Sequence, residues 1–270
     1  MDYHGRTAII TGVSSGIGRQ LALDFAARGA SLVVCARRAE PLAEVARACG
    51  PNVEALVGDV ADRAFTDGLV TRALARFGRL DVVVNNAGIS KHKQLYDVTP
   101  DEIEYVMRVN FLAPAWLTLA AMRPMLARGE GWIVNVSSVA GKLPPPREAV
   151  YAASKFALTG FTEGCGLDLA GSGIHTAVIH VGPIDTEIWQ KTDEPTAFQG
   201  RKLPPSAVSA AVFDCIARRR HEAWVPWTMR FAWLLRVLAP GMFRAGAARF
   251  DPVPPAVIER ARVSARSAHP

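Results

Sequence analysis

Short runs rich in β-branched residues recur along this chain, and a helix-length segment follows almost every one. That spacing suits a parallel sheet, because a crossover between parallel strands needs a dozen or more residues. The candidate strands are Thr7–Thr11, Ser31–Ala36, Val53–Val57, Leu80–Asn85, Trp132–Ser137, His175–His180 and Ala223–Val225. Several are apolar without alternation, as strands covered on both faces are. Between them the pattern predicts helices over Gly16–Arg28, Pro41–Cys49, Arg63–Phe77, a pair within 100–128, Val150–Gly171 and Pro205–Arg219. Thr99 and Glu102 have the spacing of a capping box, with Pro100 at the first helical position.

No internal repeat and no low-complexity linker precedes the C-terminal region, so residues 1–250 read as one domain. A chain of 270 residues that is 50% hydrophobic can bury a full core. No run of about 18 uncharged apolar residues suggests a spanning helix, and the opening residues Met1 to Arg6 lack the layout of a signal peptide. Cys35, Cys49, Cys165 and Cys215 are scattered, without Cys-x-x-Cys or paired Cys/His spacing. The expectation is a cytoplasmic protein with reduced thiols and no metal site. The net charge of +6 is uneven: residues 1–200 carry 19 Lys and Arg against 21 Asp and Glu, and residues 201–270 carry 12 against 4. A near-neutral body argues against a nucleic-acid partner and moves the question of charge to the C-terminal quarter.

The first strand runs into Thr11-Gly12-Val13-Ser14-Ser15-Gly16-Ile17-Gly18, which opens the first helix. Glycine allows the tight turn and the close approach of a pyrophosphate, and free helix N–H groups favour the anion. This is where a doubly wound α/β (Rossmann) fold places a dinucleotide. The fold expected is therefore one parallel sheet of about seven strands with helices on both faces.

The spacing T-G-x-x-x-G-x-G resembles that of the short-chain dehydrogenase/reductase family, in its short single-domain branch. Asn85-Asn86-Ala87-Gly88 is similar to the family's Asn-Asn-Ala-Gly strand end, and Asp59 to its adenine-contacting acid, beside Val60. Asn110, Ser138, Tyr151 and Lys155 match its catalytic set in order and spacing. Gly182-Pro183-Ile184-Asp185-Thr186 resembles its Pro-Gly loop, with Val181 where the family usually has proline. The resemblance covers roughly residues 6–190.

It implies hydride transfer between a nicotinamide and a carbonyl or alcohol carbon. A phenol is a poor acid–base group near neutrality, with a free pKa of about 10. A neighbouring ammonium favours the phenolate, and Tyr151 and Lys155, four apart in a helical segment, share a face. By resemblance, Ser138 bonds the substrate oxygen and Lys155 also holds the nicotinamide ribose. Asn110 holds a water that links Lys155 to solvent, and Thr186 binds the carboxamide, with Gly182 and Pro183 shaping that loop and Gly182 and Ile184 in the cofactor set. The cofactor set is completed by Gly12, Ser14, Ser15, Gly16, Ile17, Gly18, Asn86, Ala87 and Gly88.

NAD enzymes usually carry an acid at the end of the second strand. Here Arg37 and Arg38 follow Ala36, and the first acid is Glu40. Guanidinium binds a 2′-phosphate that a carboxylate would repel, so the expected cofactor is NADP(H), with NAD(H) as the alternative.

By resemblance, Leu95, Leu143, Pro144, Val181, Ile188, Trp189 and Phe198 surround the substrate, which implies a hydrophobic ketone, aldehyde or secondary alcohol, lipid-like or steroid-like. A carrier-protein-linked 3-oxoacyl reductase and a non-catalytic NADP sensor on the same fold are the rival readings. Family members commonly form homodimers or homotetramers through the helices near 100–128 and 150–171. The Trp/Arg-rich segment 222–250 has three open uses: capping the pocket, packing on its own domain or a partner subunit, or peripheral contact with an anionic membrane. Residues 251–270, rich in Pro, Ser and Arg, read as an exposed or poorly ordered tail.

Overall fold

In the computed structural model the described residues are 2–190, 193, 200–250 and 255–267. Seven strands form one parallel sheet: β1 Thr7–Thr11, β2 Ser31–Ala36, β3 Val53–Val57, β4 Val82–Asn85, β5 Gly131–Val136, β6 Ile174–Val181 and β7 Glu222–Val225, in the order β3-β2-β1-β4-β5-β6-β7. The first three strands have the limits read from sequence. Leu80 and Asp81 fall outside β4, though Leu80 is fully buried. The Asp81 backbone still bonds Thr7 and Trp132 at the mouth of the strand, while its carboxylate accepts from the Thr7 amide and pairs with Arg79 and Arg128. Those partners hold its pKa below the usual carboxylate range against the opposing effect of burial.

The sheet is apolar on both faces, which is why alternation was missing from the sequence. Ile9, Val33, Val83 and Ile133 point into one core with Leu69, Leu117 and Met125. Ile10, Val34, Val84 and Val134 point into the other with Leu21, Phe25 and Phe213. Successive side chains of one strand thus feed opposite layers. The helices are α1 Gly16–Ala26, α2 Ala39–Cys49, α3 Arg63–Phe77, α4 Pro100–Met107, α5 Ala113–Arg128, α6 Ala149–Asp168, α7 Pro205–Arg218, α8 Met229–Leu238, α9 Pro240–Phe250 and α10 Pro255–Ser267. The Thr99–Glu102 capping box starts α4 as expected.

Two features were not legible beforehand. A π-helical turn, Arg108–Leu112, joins α4 to α5. Part of the segment read as a tail is helical, and none of the α10 residues with described exposure is buried. Residues 251–254 and 268–270 lie outside the described residues.

Because β2 and β3 lie to one side of β1 and β4 to β7 to the other, the crossovers reverse between β1 and β4. A crevice opens there beyond the carboxyl ends of the strands, where open α/β sheets bind ligands.

Candidate active site

The glycine turn sits in this crevice, and its neighbours explain its composition. Gly12 and Gly16 occupy the left-handed region, with φ of 73° and 55°. A Cβ on Gly12 would stand 2.8 Å from the Ala87 Cα, and one on Gly18 would run into the Gly12 carbonyl and, at 2.5 Å, Asn86 Nδ2. The end of β4 thus presses directly on the turn and is bonded to it. The amides of Asn86 and Ala87 donate to Thr11 Oγ1 at 3.1 and 3.0 Å, and Asn86 Nδ2 donates to the Thr11 and Gly12 carbonyls at 2.9 and 3.2 Å. Ser15, the N-cap of α1, makes no side-chain cap bond, so the first-turn N–H groups are not satisfied by their own cap, as an anion cradle requires.

Arg37 and Arg38 flank the turn at the end of β2. Arg38 Nη2 donates to Ser14 Oγ at 3.2 Å and pairs with Glu187 at 3.0 Å. Arg37 Nη1 donates to Tyr105 Oη at 2.7 Å and lies 3.9 Å from Asp59, whose carboxylate also accepts from the Tyr105 hydroxyl. Both guanidinium groups are exposed, so these pairs contribute little to stability and can exchange for a phosphate. Val60 is packed in the core beside Leu69 and Val70, with its carbonyl accepting from Thr66 Oγ1 at 2.9 Å.

Across the crevice, Ser138 lies just past the end of β5, where its Oγ accepts from the Ala140 amide at 3.1 Å. It shares the cavity wall with the phenol of Tyr151 and favours its ionised form. Tyr151 and Lys155 stand one turn apart on α6, with Lys155 Nζ 5.9 Å from the centre of the Tyr151 ring. Nζ donates to the Val136 carbonyl at 3.1 Å. Lys155 is buried, and burial pulls its pKa down to about 8.

The phenol is set by its surroundings. Burial pushes Tyr151 well above the ordinary tyrosine value, the Ser138 hydroxyl opposes it, and the charge of Glu148 adds to the rise. The Lys155 amine is turned to the β5 carbonyl.

Asn110 sits fully buried within the π-helical turn. Its Oδ1 accepts from the Ile89 amide, and its Nδ2 donates to the Ile89 carbonyl and Ser154 Oγ, all at 2.9–3.0 Å. Ser154 in turn donates to the Tyr151 carbonyl at 2.7 Å. The Asn110 amide therefore ties the β4 loop to α6 and spends both its ends on protein.

A cavity of about 480 Å³ has Ser138, Tyr151 and Lys155 in its wall. Ile17, Asn86 and Gly88 line its glycine-turn side, and Gly182, Ile184 and Thr186 line it from the loop after β6. Gly182 fits there because its amide donates to the Val225 carbonyl at 2.7 Å and a Cβ would stand 3.0 Å from that same oxygen. Thr186 lies over Gly16, 2.9 Å from where a Cβ would project. Of the residues expected around a substrate, Leu143, Val181, Ile188 and Trp189 line the cavity.

Leu95 and Pro144 do not line it. Leu95 is 62% exposed and faces a neighbouring hollow with Val98 and Val150, while Pro144 faces Phe243 and Ala247 of α9. Phe198 lies outside the described residues. Sequence reasoning missed Pro145, Pro146 and Met229, and also the pair His92–Glu148, whose Nδ1 and Oε1 are 3.4 Å apart in the cavity wall. No periodic pattern marks a loop histidine or a methionine from the far end of the chain, so only tertiary structure reveals them.

The parts fit a nicotinamide dinucleotide: a bare backbone cradle at a helix start, two arginines beside it, and a polar triad further along the same crevice. Comparison with known proteins agrees. Residues 6–197 match the family model described as short chain dehydrogenase. The chain is 34% identical to Dehydrogenase/reductase SDR family member 7B of Bos taurus, over 87% of this chain and 78% of that protein. It is 33% identical to 11-beta-hydroxysteroid dehydrogenase 1A of Arabidopsis thaliana, over 90% and 74%. A crystal structure of a short chain dehydrogenase/reductase from Burkholderia phymatum in complex with NAD superposes with a TM-score of 0.81 at 28% identity, covering 87% of this chain and 94% of that one.

Proposed function

The chain belongs to the short-chain dehydrogenase/reductase family and is an oxidoreductase with a nicotinamide cofactor, and on that premise we propose that it interconverts a hydrophobic ketone or aldehyde and the corresponding alcohol with NADP(H), using Tyr151 as the acid–base group. The observation that carries the reading is that Ser138, Tyr151 and buried Lys155 share the wall of a cavity that the glycine turn also lines.

The cofactor supplies or accepts the hydride, and this chain's residues manage the oxygen and its proton. In the reducing direction Ser138 Oγ donates to the substrate carbonyl oxygen, where negative charge builds up. Tyr151 gives that oxygen its proton; burial disfavours the phenolate left behind, so the transfer depends on the groups that stabilise that phenolate. The Lys155 amine, protonated below about pH 8, stabilises the phenolate that remains and would hold the ribose hydroxyls. Asn110 fixes the height of α6 through Ser154.

Gly12, Gly16 and Gly18 with Ser14, Ser15 and Ile17 would take the pyrophosphate, Asp59 and Val60 the adenine, and Asn86, Ala87 and Gly88 the face opposite. Gly182, Ile184 and Thr186 would take the nicotinamide end. Arg37 and Arg38 favour the phosphorylated dinucleotide, since each guanidinium presents charged donors that a plain ribose cannot use. The substrate class follows from the aliphatic, aromatic and proline side chains around the triad, and the hydroxysteroid dehydrogenase relative points the same way.

The test is NADPH oxidation across a panel of apolar ketones by wild type and Tyr151→Phe. Wild type is expected to turn over bulky apolar ketones, and the variant to lose about 10²–10⁴-fold in kcat while NADPH affinity changes little. Tight NADPH binding with no turnover anywhere in the panel would overturn this reading in favour of a sensor.

A further inference from the structure

The segment from Trp227 to Phe250 carries its apolar surface on the wrong side for an ordinary surface helix. Trp227, Phe231, Leu234, Leu235 and Leu238 recur at the spacing of one helical face, and each is between 41% and 76% exposed. The opposite face is anchored to the body. Met229 lines the cavity, Trp233 lies 6.4 Å from Trp224, and Arg236 donates to the Lys142 carbonyl while lying over the Phe156 ring. The outward stripe stays exposed with α10 in place, and α9 extends it with Met242, 69% exposed.

The charge around this stripe has one sign. From Ala223 to Phe250 there is no acidic residue, while Arg230, Arg236, Arg244 and Arg249 are basic. Arg230 lies over the rings of Trp227 and Phe231 at 5.1 and 5.4 Å, a cation carried at the border of the apolar surface. No described helix is long and apolar enough to cross a membrane. A second copy of the chain is a poor occupant. A two-fold contact through this face would set it against itself, bringing basic residues together without acids to match. Apolar groups that sink a few ångströms, ringed by arginines at the depth of lipid phosphates, describe an interfacial surface.

We propose that the outer face of α8 and α9 docks on an anionic lipid surface, with the Trp227–Leu238 stripe in the acyl boundary and Arg230 and Arg249 on the headgroups. Through Met229 the same helix borders the substrate cavity, so an apolar substrate dissolved in the bilayer meets the protein beside its site.

Flotation of the full chain tests this, using phosphatidylcholine vesicles and vesicles with about a third phosphatidylserine. Wild type is expected to float with the anionic vesicles, to remain behind with the neutral ones, and to detach as salt is raised. Phe231→Ser/Leu235→Ser is expected to lower the bound fraction at least about tenfold, and Arg230→Glu/Arg249→Glu to abolish the lipid preference. Melting and NADPH binding serve as folding controls for each variant. Failure of wild type to float, equal flotation on neutral lipid, or wild-type flotation by folded variants of both kinds would overturn the proposal. So would a wild-type dimer that Phe231→Ser/Leu235→Ser splits while flotation is unchanged, because a second copy would then cover the face.

Discussion

The two sides of the crevice are built in different ways. The glycine-turn side is backbone and short polar side chains, pinned by hydrogen bonds among β1, β2 and β4: Gly12 to Cys35, Asn86 and Ala87 to Thr11, and Arg38 to Ser14. The substrate side is apolar side chains gathered from three separate places: the loop after β5, the loop after β6, and α8. One side is fixed by geometry that tolerates almost no change, because a single added carbon meets backbone. The other is a wall of side chains whose shape can vary while the fold persists. The difference places cofactor recognition in the frame of the sheet and substrate choice in its connections.

The sharpest way to break this contrast is Gly18→Ala. Its Cβ would press on the Gly12 carbonyl, which is backbone, and on Asn86 Nδ2, which bonds to the Thr11 and Gly12 carbonyls hold in place. The expected outcome is loss of NADPH binding by at least about 10²-fold, or failure to fold, because each displaced backbone hydrogen bond to the phosphates costs on the order of 1.5–3 kcal/mol. Fluorescence titration of NADPH, with a melting curve on the same sample, separates the two. Near-native binding would show that the turn is not the pyrophosphate seat.

The glycine-turn side was largely legible in the sequence and the substrate side was not, for a physical reason. Thr11 to Gly18 and Asn86 to Gly88 are contiguous, and their residue types are dictated by local backbone needs such as the positive φ of Gly12 and Gly16. Tyr151 and Lys155 are one helical turn apart, so their approach is also a local fact. Met229 reaches the cavity only because β7 pairs with β6 and delivers α8 to its edge, which no spacing rule encodes. Leu95 was placed in the pocket by resemblance, yet the chain turns it outward at the short helical turn Leu95–Asp97. The burial of the Tyr151 phenol was not legible for a similar reason, since burial is a property of the whole wall and not of a spacing.

A smaller effect is expected from Arg37→Ala/Arg38→Ala. Both side chains are exposed and pair with neutral or acidic neighbours, so stability should hardly change. Losing the charged donors to a 2′-phosphate should raise the KM for NADPH about 10–10²-fold while leaving that for NADH within a few-fold. An equal change for both coenzymes would remove these arginines from phosphate recognition and leave only the contacts of Arg37 with Tyr105 and Asp59 and of Arg38 with Ser14 and Glu187.

The smallest effect bears on how the two sides meet at the reactive pair. Burial alone depresses Lys155, to about 8, whereas the Tyr151 rise carries a contribution from Glu148 on the substrate wall. The sign is fixed: a folded pKa near 8 means the ammonium is present below that pH and lost above it. The value of kcat/KM for ketone reduction should therefore fall through about pH 8, approaching tenfold per unit on the alkaline side. Glu148→Gln removes a charge that disfavours the phenolate, so it should lower the Tyr151 pKa and leave the limb near pH 8 where it is. A pH–rate profile of both proteins reads this directly. If Glu148→Gln displaced the limb itself, the amine and the substrate wall would be electrostatically linked, and the division between the two sides of the crevice would not extend to the catalytic pair.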